Sequence, residues 1–483
     1  MKISDLTVVT KDSDTYDQAR KCWNAMYDSR PDEIIYCKDS KDVSSAIEYA
    51  RDAGKQFRIR SGGHGTEGYC SVDDGIVIDV SSIDHIEYVS DSLVRLGPGI
   101  KNRKVNHVLA ERGQAVTTGT CYDVSVGGFA LGGGSGMLSR TLRSFTRSVV
   151  SMEIVDARGR ILTADKDTNP DLFWACRGSG GGNFGVVTNF TVRAHKIPDV
   201  VSYRVMWPWQ HLETVLDRWQ HWAVTDDRRL NSYFTIMPQS VGWIDVGGVF
   251  VGPQKEFEEY LTVLLRETPP STERSVRTLP WTEAAEVIYD KVGGGLPEFH
   301  ERIRSSNLTN NSSNFLDAEA IKVLKEHHAK AFGNIWTWIW AAATESDLSS
   351  IAEVERDTAE QFSFSNRLTL LSVLTRAGWK DPSEDARHMD WFKDFQKSWR
   401  PYSSACYVNW TDRRIETRLG HYFGDNLPRL VEVKNAWDPH DVFNFPASIP
   451  LRVTADQARR WELSDDVVQK LKDNGRFVDS PAS

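Results

Sequence analysis

Glycine is concentrated in three short stretches of this chain, and these stretches constrain the fold more than any other feature of the sequence. They are Ser61–Gly65, Gly127–Gly136 and Gly178–Gly185, in a chain of 483 residues with 34 glycines. Glycine backbone is costly to order, so such density is tolerated where bare N–H groups must closely approach an anion or a flat ring. A flexible linker is the alternative for the second stretch, but Phe129 and Leu131 interrupt it, and linkers are polar.

The third stretch also contains the dinucleotide fingerprint GxGxxG, at Gly180–Gly185. That motif must follow a strand and open a helix, so that the helix N-terminus faces the pyrophosphate. Here it leads into the β-branched run Val186–Thr188, which predicts a strand. A Rossmann site is therefore disfavoured, and no Walker A sequence occurs.

Hydrophobic patterning predicts an α+β chain with three parts: an N-terminal domain at 1–198, a middle domain at 199–400 and a C-terminal segment at 401–483 that returns to the first domain. The N-terminal part alternates short strands and helices. In the middle part, longer strands alternate with amphipathic helices such as Glu256–Glu267, which predicts an antiparallel sheet backed by helices. Beyond it, Cys406–Trp410 is predicted to be a strand and Asp425–Trp437 a helix.

Composition argues against several classes of protein. A net charge of -9 without a dense basic run does not suit a nucleic-acid-binding protein. The longest apolar stretch, Ile335–Ala343, is too short to span a bilayer. The first residues lack a secretory pattern, so we expect a cytoplasmic protein, with a processed secreted form as the alternative. The six cysteines form no CxxC pair. His327 and His328 lie on a charged predicted helix without HExxH spacing, so we expect solvated histidines and no metal site.

Six motifs, taken together in chain order, resemble the berberine-bridge-enzyme-like family of FAD-linked oxidases, within the vanillyl-alcohol-oxidase superfamily. The resemblance covers roughly residues 30 to 195 and 400 to 450. It rests on the runs Arg60–Gly65, Gly119–Gly128, Gly132–Arg140, Asp171–Gly178, Asn183–Thr188 and Tyr407–Asn409. The middle part of the chain carries no motif that can be aligned.

The resemblance implies a two-subdomain FAD-binding domain, a separate substrate domain, and FAD attached covalently at two points. His64 would bond the flavin 8α-methyl group and Cys121 the flavin C6 atom. Tyr407 would be the catalytic base, and Asn409 would contact the flavin edge. The other positions that the resemblance assigns to the cofactor are Arg60, Ser61, Gly62, Gly63, Gly65, Gly119, Val126, Gly127, Gly128, Gly132, Gly133, Ser139, Gly185 and Val187. The clustered glycine N–H groups could also cradle the FAD pyrophosphate.

We therefore expect an oxidase that acts on an alcohol, foremost the anomeric carbon of a sugar or oligosaccharide, giving a lactone while O2 is reduced to H2O2. The alternatives are a tailoring oxidase of an alkaloid or polyketide, and an inactive family member that only binds its ligand. Many members carry Ser-Tyr after the Gly-His pair, whereas this chain has Gly65 and Thr66, so the resemblance does not fix the substrate. We expect about two of the 17 tryptophans to contact it. Oligomeric state is left open.

Overall fold

The structure is a computed structural model that describes residues 6–121, 123–293, 302–306, 314–341, 363, 370–403, 405–415 and 418–479. Tyr122, which belongs to the motif around Cys121, lies outside these ranges. Within them no helix combines the length and the apolar character that crossing a bilayer requires.

The chain begins with a four-stranded sheet in the order β1-β2-β4-β3, in which β4 runs parallel to both neighbours. Its strands are β1 (Thr7–Thr10), β2 (Glu33–Tyr36), β3 (Phe57–Arg60) and β4 (Ile76–Asp79). Helix Ser40–Asp52 packs against this sheet. Asp39 caps its N-terminus by accepting from the N–H groups of Lys41 and Asp42, and Gly54 follows its end with a φ of +62°.

A second sheet of five strands completes the N-terminal part, in the order β5-β6-β10-β8-β9. Strand β7 pairs instead with β11 in a two-stranded ribbon. The strands are β5 (Ile86–Tyr88), β6 (Leu93–Leu96), β7 (Gln114–Ala115), β8 (Val149–Val155), β9 (Ile161–Asp165), β10 (Val186–Arg193) and β11 (His195–Lys196). The third glycine stretch thus opens a strand and not a helix, as its β-branched continuation predicts.

The middle part contains a seven-stranded antiparallel sheet in the order β15-β12-β14-β13-β17-β18-β16. Its strands are β12 (Val200–Pro208), β13 (Leu230–Ile236), β14 (Trp243–Phe250), β15 (Glu273–Leu279), β16 (Arg302–Ser306), β17 (Ile335–Ala341) and β18 (Leu371–Trp379). Near the C-terminus β19 (Val453–Thr454) pairs in parallel with β20 (Phe477–Val478). The predicted α+β class and the antiparallel middle sheet are confirmed, whereas the domain bounds stay predictions.

Sixteen α-helices connect or cover these sheets in the described ranges, and most lie outside the glycine-rich stretches. In chain order they are α1 Tyr16–Ala19, α2 Ser40–Asp52, α3 Asn102–Ala110, α4 Val126–Leu131, α5 Ser139–Leu142, α6 Phe145–Ser148, α7 Pro170–Ala175, α8 Leu212–Ala223, α9 Gln254–Glu267, α10 Trp281–Gly293, α11 Ala318–Ala329, α12 Asp385–Trp399, α13 Arg418–Phe423, α14 Leu427–Trp437, α15 Ala455–Arg460 and α16 Asp465–Asp473.

Two local predictions are wrong. The run Cys406–Trp410 is not a strand: it forms a turn in which the Trp410 N–H donates to the Tyr407 carbonyl at 3.0 Å. The prediction of a solvated histidine pair fails at His328, which is fully buried on α11. Its Nδ1 lies 2.9 Å from the Leu324 carbonyl and its Nε2 lies 3.0 Å from the Thr337 hydroxyl, so it is a hydrogen-bonded core residue.

The C-terminal segment packs back onto the third glycine stretch. Lys434 on α14 is completely buried, and its ammonium donates to Asp438 at 2.7 Å and to the Asn183 carbonyl at 3.0 Å. The Asn183 side chain in turn accepts from the Ile449 N–H at 2.9 Å. Charged and neutral hydrogen bonds therefore join residues more than 250 positions apart and hold this glycine backbone in place.

Candidate active site

A cavity of about 330 Å³ lies where the three glycine stretches meet the middle sheet. Its volume is within the range of small-molecule and cofactor sites. The turn at 407–411 closes one side, and strands β17 and β18 form another. The sequence motifs, which are far apart in the chain, thus converge on one site.

Most of the predicted site residues line this cavity. Among them are the three with a proposed chemical role, His64, Cys121 and Tyr407. The others are Ser61, Gly62, Gly63, Gly65, Gly119, Gly127, Gly128, Gly185, Val187 and Asn409. The remaining predicted positions, Arg60, Val126, Gly132, Gly133 and Ser139, lie behind the lining.

Glycine leaves part of the cavity surface as bare backbone. A Cβ built on Gly65 or on Gly128 would meet no atom within 4 Å, so a side chain at either position would project into open space. Gly180 and Gly182 line the same cavity with φ values of +87° and +75°, which other residues rarely adopt. A cavity bounded by flat peptide groups fits a large planar cofactor such as FAD.

His64 lies within this cavity beside Trp23, with ring centroids 5.2 Å apart and nearly parallel planes. Burial, together with the charges of Lys101 and Arg376, lowers the pKa of His64 to about 3. The imidazole is therefore neutral at physiological pH. A neutral ring nitrogen has a lone pair and can form a covalent bond.

Cys121 lies near the same two cations. Burial raises the pKa of its thiol, while the N–H groups of Asp123 and Val124 and the charge of Arg376 lower that pKa. The charge of Cys121 in turn raises the pKa of Lys101, and the charge of Lys101 lowers the pKa of His64. His64 and Cys121 thus belong to one neighbourhood of the cavity, as two attachment points on one ring system require.

Tyr407 presents its phenolic oxygen to three N–H donors. The backbone N–H groups of Gly134 and Ser135 donate to it at 2.9 Å and 3.0 Å, and the Asn409 amide donates at 2.9 Å. Burial raises the pKa of Tyr407 above its ordinary value, and these three hydrogen bonds offset part of that rise. Donors gathered on one oxygen favour its negatively charged form, which is the form that can accept a proton.

The predicted residues behind the lining have structural contacts. Arg60 and Asp79 form a buried ion pair with Nε and Oδ2 2.5 Å apart. A Cβ on Gly132 would lie 2.0 Å from Oδ1 of Asn409, so only glycine leaves room for that amide. The Ser139 hydroxyl accepts from the Gly136 N–H at 2.8 Å and braces the loop under Tyr407.

Five tryptophans line the cavity, namely Trp23, Trp336, Trp338, Trp340 and Trp410, and the expectation that about two tryptophans contact the substrate stays a prediction. Three of them alternate along β17, and this spacing in the sequence is a signal that all three share one face. Trp207 and Trp209 are instead buried in the core. Arg376 also lines the cavity, and nothing in the sequence singled it out. No group of His, Cys, Asp or Glu able to hold a metal ion occurs in the described part of the chain.

Comparisons with known proteins agree with this site. A family model described as an FAD binding domain matches residues 31–165, and one described as berberine and berberine like matches residues 406–450. The protein named Uncharacterized FAD-linked oxidoreductase YgaK from Bacillus subtilis (strain 168) is 32% identical over 448 residues, which cover 92% of this chain and 96% of that protein.

Solved structures show the same fold. Physcomitrella patens BBE-like 1 superposes with a TM-score of 0.85 at 23% identity, covering 93% of this chain and 98% of that one. A chitooligosaccharide oxidase superposes with a TM-score of 0.80 at 20% identity, covering 92% and 97%. With the matched sequence models and the converging motifs, these similarities show that the chain belongs to the berberine-bridge-enzyme-like family of FAD-linked oxidoreductases.

Proposed function

We propose that this enzyme holds FAD through covalent bonds to both His64 and Cys121 and oxidises the anomeric carbon of a sugar or oligosaccharide to a lactone. Two electrons and two protons leave the alcohol, and O2 takes up both pairs to become H2O2. When bound, FAD supplies the two-electron chemistry between alcohol and O2. The protein's own groups bind the substrate, orient it and accept a proton.

The donors around Tyr407 are the observation that carries this proposal. A phenol has an ordinary pKa near 10 and is a poor base at neutral pH. The N–H groups of Gly134, Ser135 and Asn409 all stabilise the phenolate. Tyr407 lines the cavity and is therefore placed to accept the proton of a substrate hydroxyl.

A sugar substrate is supported by the aromatic wall. Flat indole rings stack well on the apolar faces of sugars, and Trp336, Trp338 and Trp340 present such rings on one side of the cavity. A chitooligosaccharide oxidase shares the fold. Gly65 and Thr66, in place of the Ser-Tyr pair of many members, are expected to change which sugar is preferred.

The test is an H2O2 assay of the purified holoenzyme against a panel of mono- and oligosaccharides. We expect turnover on at least one sugar, and we expect Tyr407→Phe to lower kcat by about 10²- to 10⁴-fold while the protein keeps its flavin. Tyr88→Phe, which removes a hydroxyl hydrogen-bonded to Gln114, is the matched control and should retain the wild-type rate. Absence of peroxide with every sugar would refute the sugar proposal.

A further inference from the structure

The cavity wall formed by β17 and β18 contains a positive charge that has no role in the oxidation of a neutral sugar. Arg376 on β18 lies directly opposite Trp336 on β17 in the sheet register, so both side chains are on the face that lines the cavity. Its side chain is only 8% exposed. Burial lowers the pKa of Arg376 to about 10, and the guanidinium therefore stays charged at neutral pH.

In the described part of the chain no carboxylate pairs with this charge, and its titratable neighbour is the thiol of Cys121. In the described ranges the guanidinium forms neither an ion pair nor a hydrogen bond, and its Nε is buried without an acceptor. Its contacts are with rings: Cζ lies 5.2 Å from the centroid of Trp23 and 6.0 Å from that of Trp336. Aromatic rings offset only part of the cost of burying a cation. By contrast, the buried Arg60 forms an ion pair with Asp79.

Other polar atoms on this wall point to the same kind of ligand. The indole N–H groups of Trp338 and Trp340 are buried and have no acceptor among the residues that the structure describes. Guanidinium and indole nitrogens are hydrogen-bond donors only. The described side chains of β17 and β18 that line the cavity thus offer neither an acceptor nor a negative charge, and a ligand that supplies both would complement them.

Arg376 and Tyr407 lie at opposite ends of a continuous row of aromatic rings. From Trp336 the row passes through Trp338 at 6.1 Å, Trp340 at 4.7 Å and Trp410 at 5.9 Å, and then reaches Tyr407 at 5.1 Å between centroids. The strand residues 336 and 340 alone are about 13 Å apart, at about 3.3 Å per residue. A ligand that contacts both ends must be elongated.

We infer that Arg376 binds a carboxylate on the substrate, while the reacting alcohol lies near Tyr407 and the body between them stacks on the tryptophan wall. The planar guanidinium can bind both oxygens of a carboxylate at once. This inference rests on the proposed function for the position of the reacting alcohol. The substrate would be an acidic sugar or an aromatic hydroxy acid, which share this recognition chemistry.

Binding of benzoate to the resting holoenzyme, followed through the change in flavin absorbance, tests the anion site without any turnover. We expect benzoate to bind the wild type more tightly than neutral benzamide. Arg376→Met should weaken benzoate at least tenfold and leave benzamide unchanged, whereas Arg376→Lys should retain part of the affinity. Arg387→Met is the matched control, because Arg387 also lies over a ring, that of Phe332, at 3.7 Å, but does not line the cavity.

Equal affinity of the wild type for benzoate and benzamide would overturn the inference, whatever the fate of the variants. So would loss of flavin from Arg376→Met, since Arg376 would then serve cofactor attachment. Turnover separates the two sources of the carboxylate, with acids elongated enough for the aromatic row. Cellobiose carrying a carboxylate at C6 of its non-reducing unit is compared with cellobiose, and 4′-(hydroxymethyl)biphenyl-4-carboxylate with 4′-methylbiphenyl-4-methanol. Preference for the acid in either pair supports the inference, and preference for the neutral partner in both contradicts it. If benzoate binds but no compound is turned over, the proposed function is refuted and the anion site at Arg376 is supported.

Discussion

The phenolic oxygen of Tyr407 receives more hydrogen bonds than a neutral tyrosine can use well. A phenol keeps its own proton and has two lone pairs, whereas a phenolate has three, which matches the three N–H donors found here. Removing one donor should therefore destabilise the phenolate selectively. Burial raises the Tyr407 pKa, and the three donors counteract that rise.

We predict that Asn409→Leu raises the pKa of Tyr407 and moves the rising limb of the pH profile of kcat/KM to higher pH. The sign follows because the deprotonated tyrosine is the active form, and losing the Asn409 donor favours the protonated form. At a pH below the limb the variant is then slower than the wild type, and the two converge at high pH. Asn189→Leu, on strand β10 away from Tyr407, serves as the control and should not move the limb.

A limb at the same pH in Asn409→Leu and in the wild type would contradict the role of the donors. Intact mass and absorbance of each variant, recorded first, show that a change in rate does not come from lost flavin.

The density of glycine at 127–136 predicted that other groups approach this backbone closely. It did not predict which groups these are. The N–H groups of Gly134 and Ser135 donate to Tyr407, which lies 273 and 272 positions further along the chain. Gly132 faces Asn409 in the same way. Such partners are set by tertiary packing, and no local pattern in the sequence specifies them.

At the scale of secondary-structure elements, the parallel pair β3 and β4 supports the His64 turn. Arg60 ends β3, Asp79 ends β4, and the two are register partners with side chains 5% and 3% exposed. The glycine turn that carries His64 begins immediately after Arg60. A buried ion pair thus fixes the point at which the strand gives way to the cavity lining.

We predict that Asp79→Ala lowers the free energy of unfolding by about 3 to 5 kcal/mol, because it leaves the Arg60 guanidinium buried without a partner. Urea unfolding followed by tryptophan fluorescence measures the change. Glu87→Ala provides the control: Glu87 pairs with Arg95 across β5 and β6, but those side chains are 57% and 49% exposed. Glu87→Ala should lower the free energy of unfolding by less than about 1 kcal/mol. Equal costs at the two positions would contradict the structural role assigned to Arg60.

Strands and helices with a regular spacing of apolar residues were predictable, whereas the conformation of the run at 406–410 was not. The alternation in Cys406–Trp410 resembles a strand, yet within the described ranges this run pairs with no neighbouring strand over its length. Its polar side chains are hydrogen-bonded to the glycine loop instead, as the bond from Asn409 to the Phe129 carbonyl at 2.9 Å shows. The alternating tryptophans of β17 were visible in the sequence, but their position over the cavity depends on packing between sheets.

At the scale of the whole molecule, the site is assembled from segments that only the complete fold brings together. His64 follows β3, Cys121 precedes α4, and Tyr407 comes from the turn after the middle sheet. Lys434 holds the third glycine stretch from the C-terminal helix α14. The ordered motifs were sufficient to predict the family and the α+β fold. They could not predict Arg376, which belongs to a sheet without an alignable motif.

Our claim that FAD is attached covalently at two points is tested by acid precipitation. The wild type, His64→Ala, Cys121→Ala and the double variant are denatured, and flavin absorbance is compared between pellet and supernatant, with intact mass as a second reading. We predict that the wild type and each single variant retain the chromophore in the pellet, and that the double variant releases it. Release of all chromophore by the denatured wild type would contradict the claim.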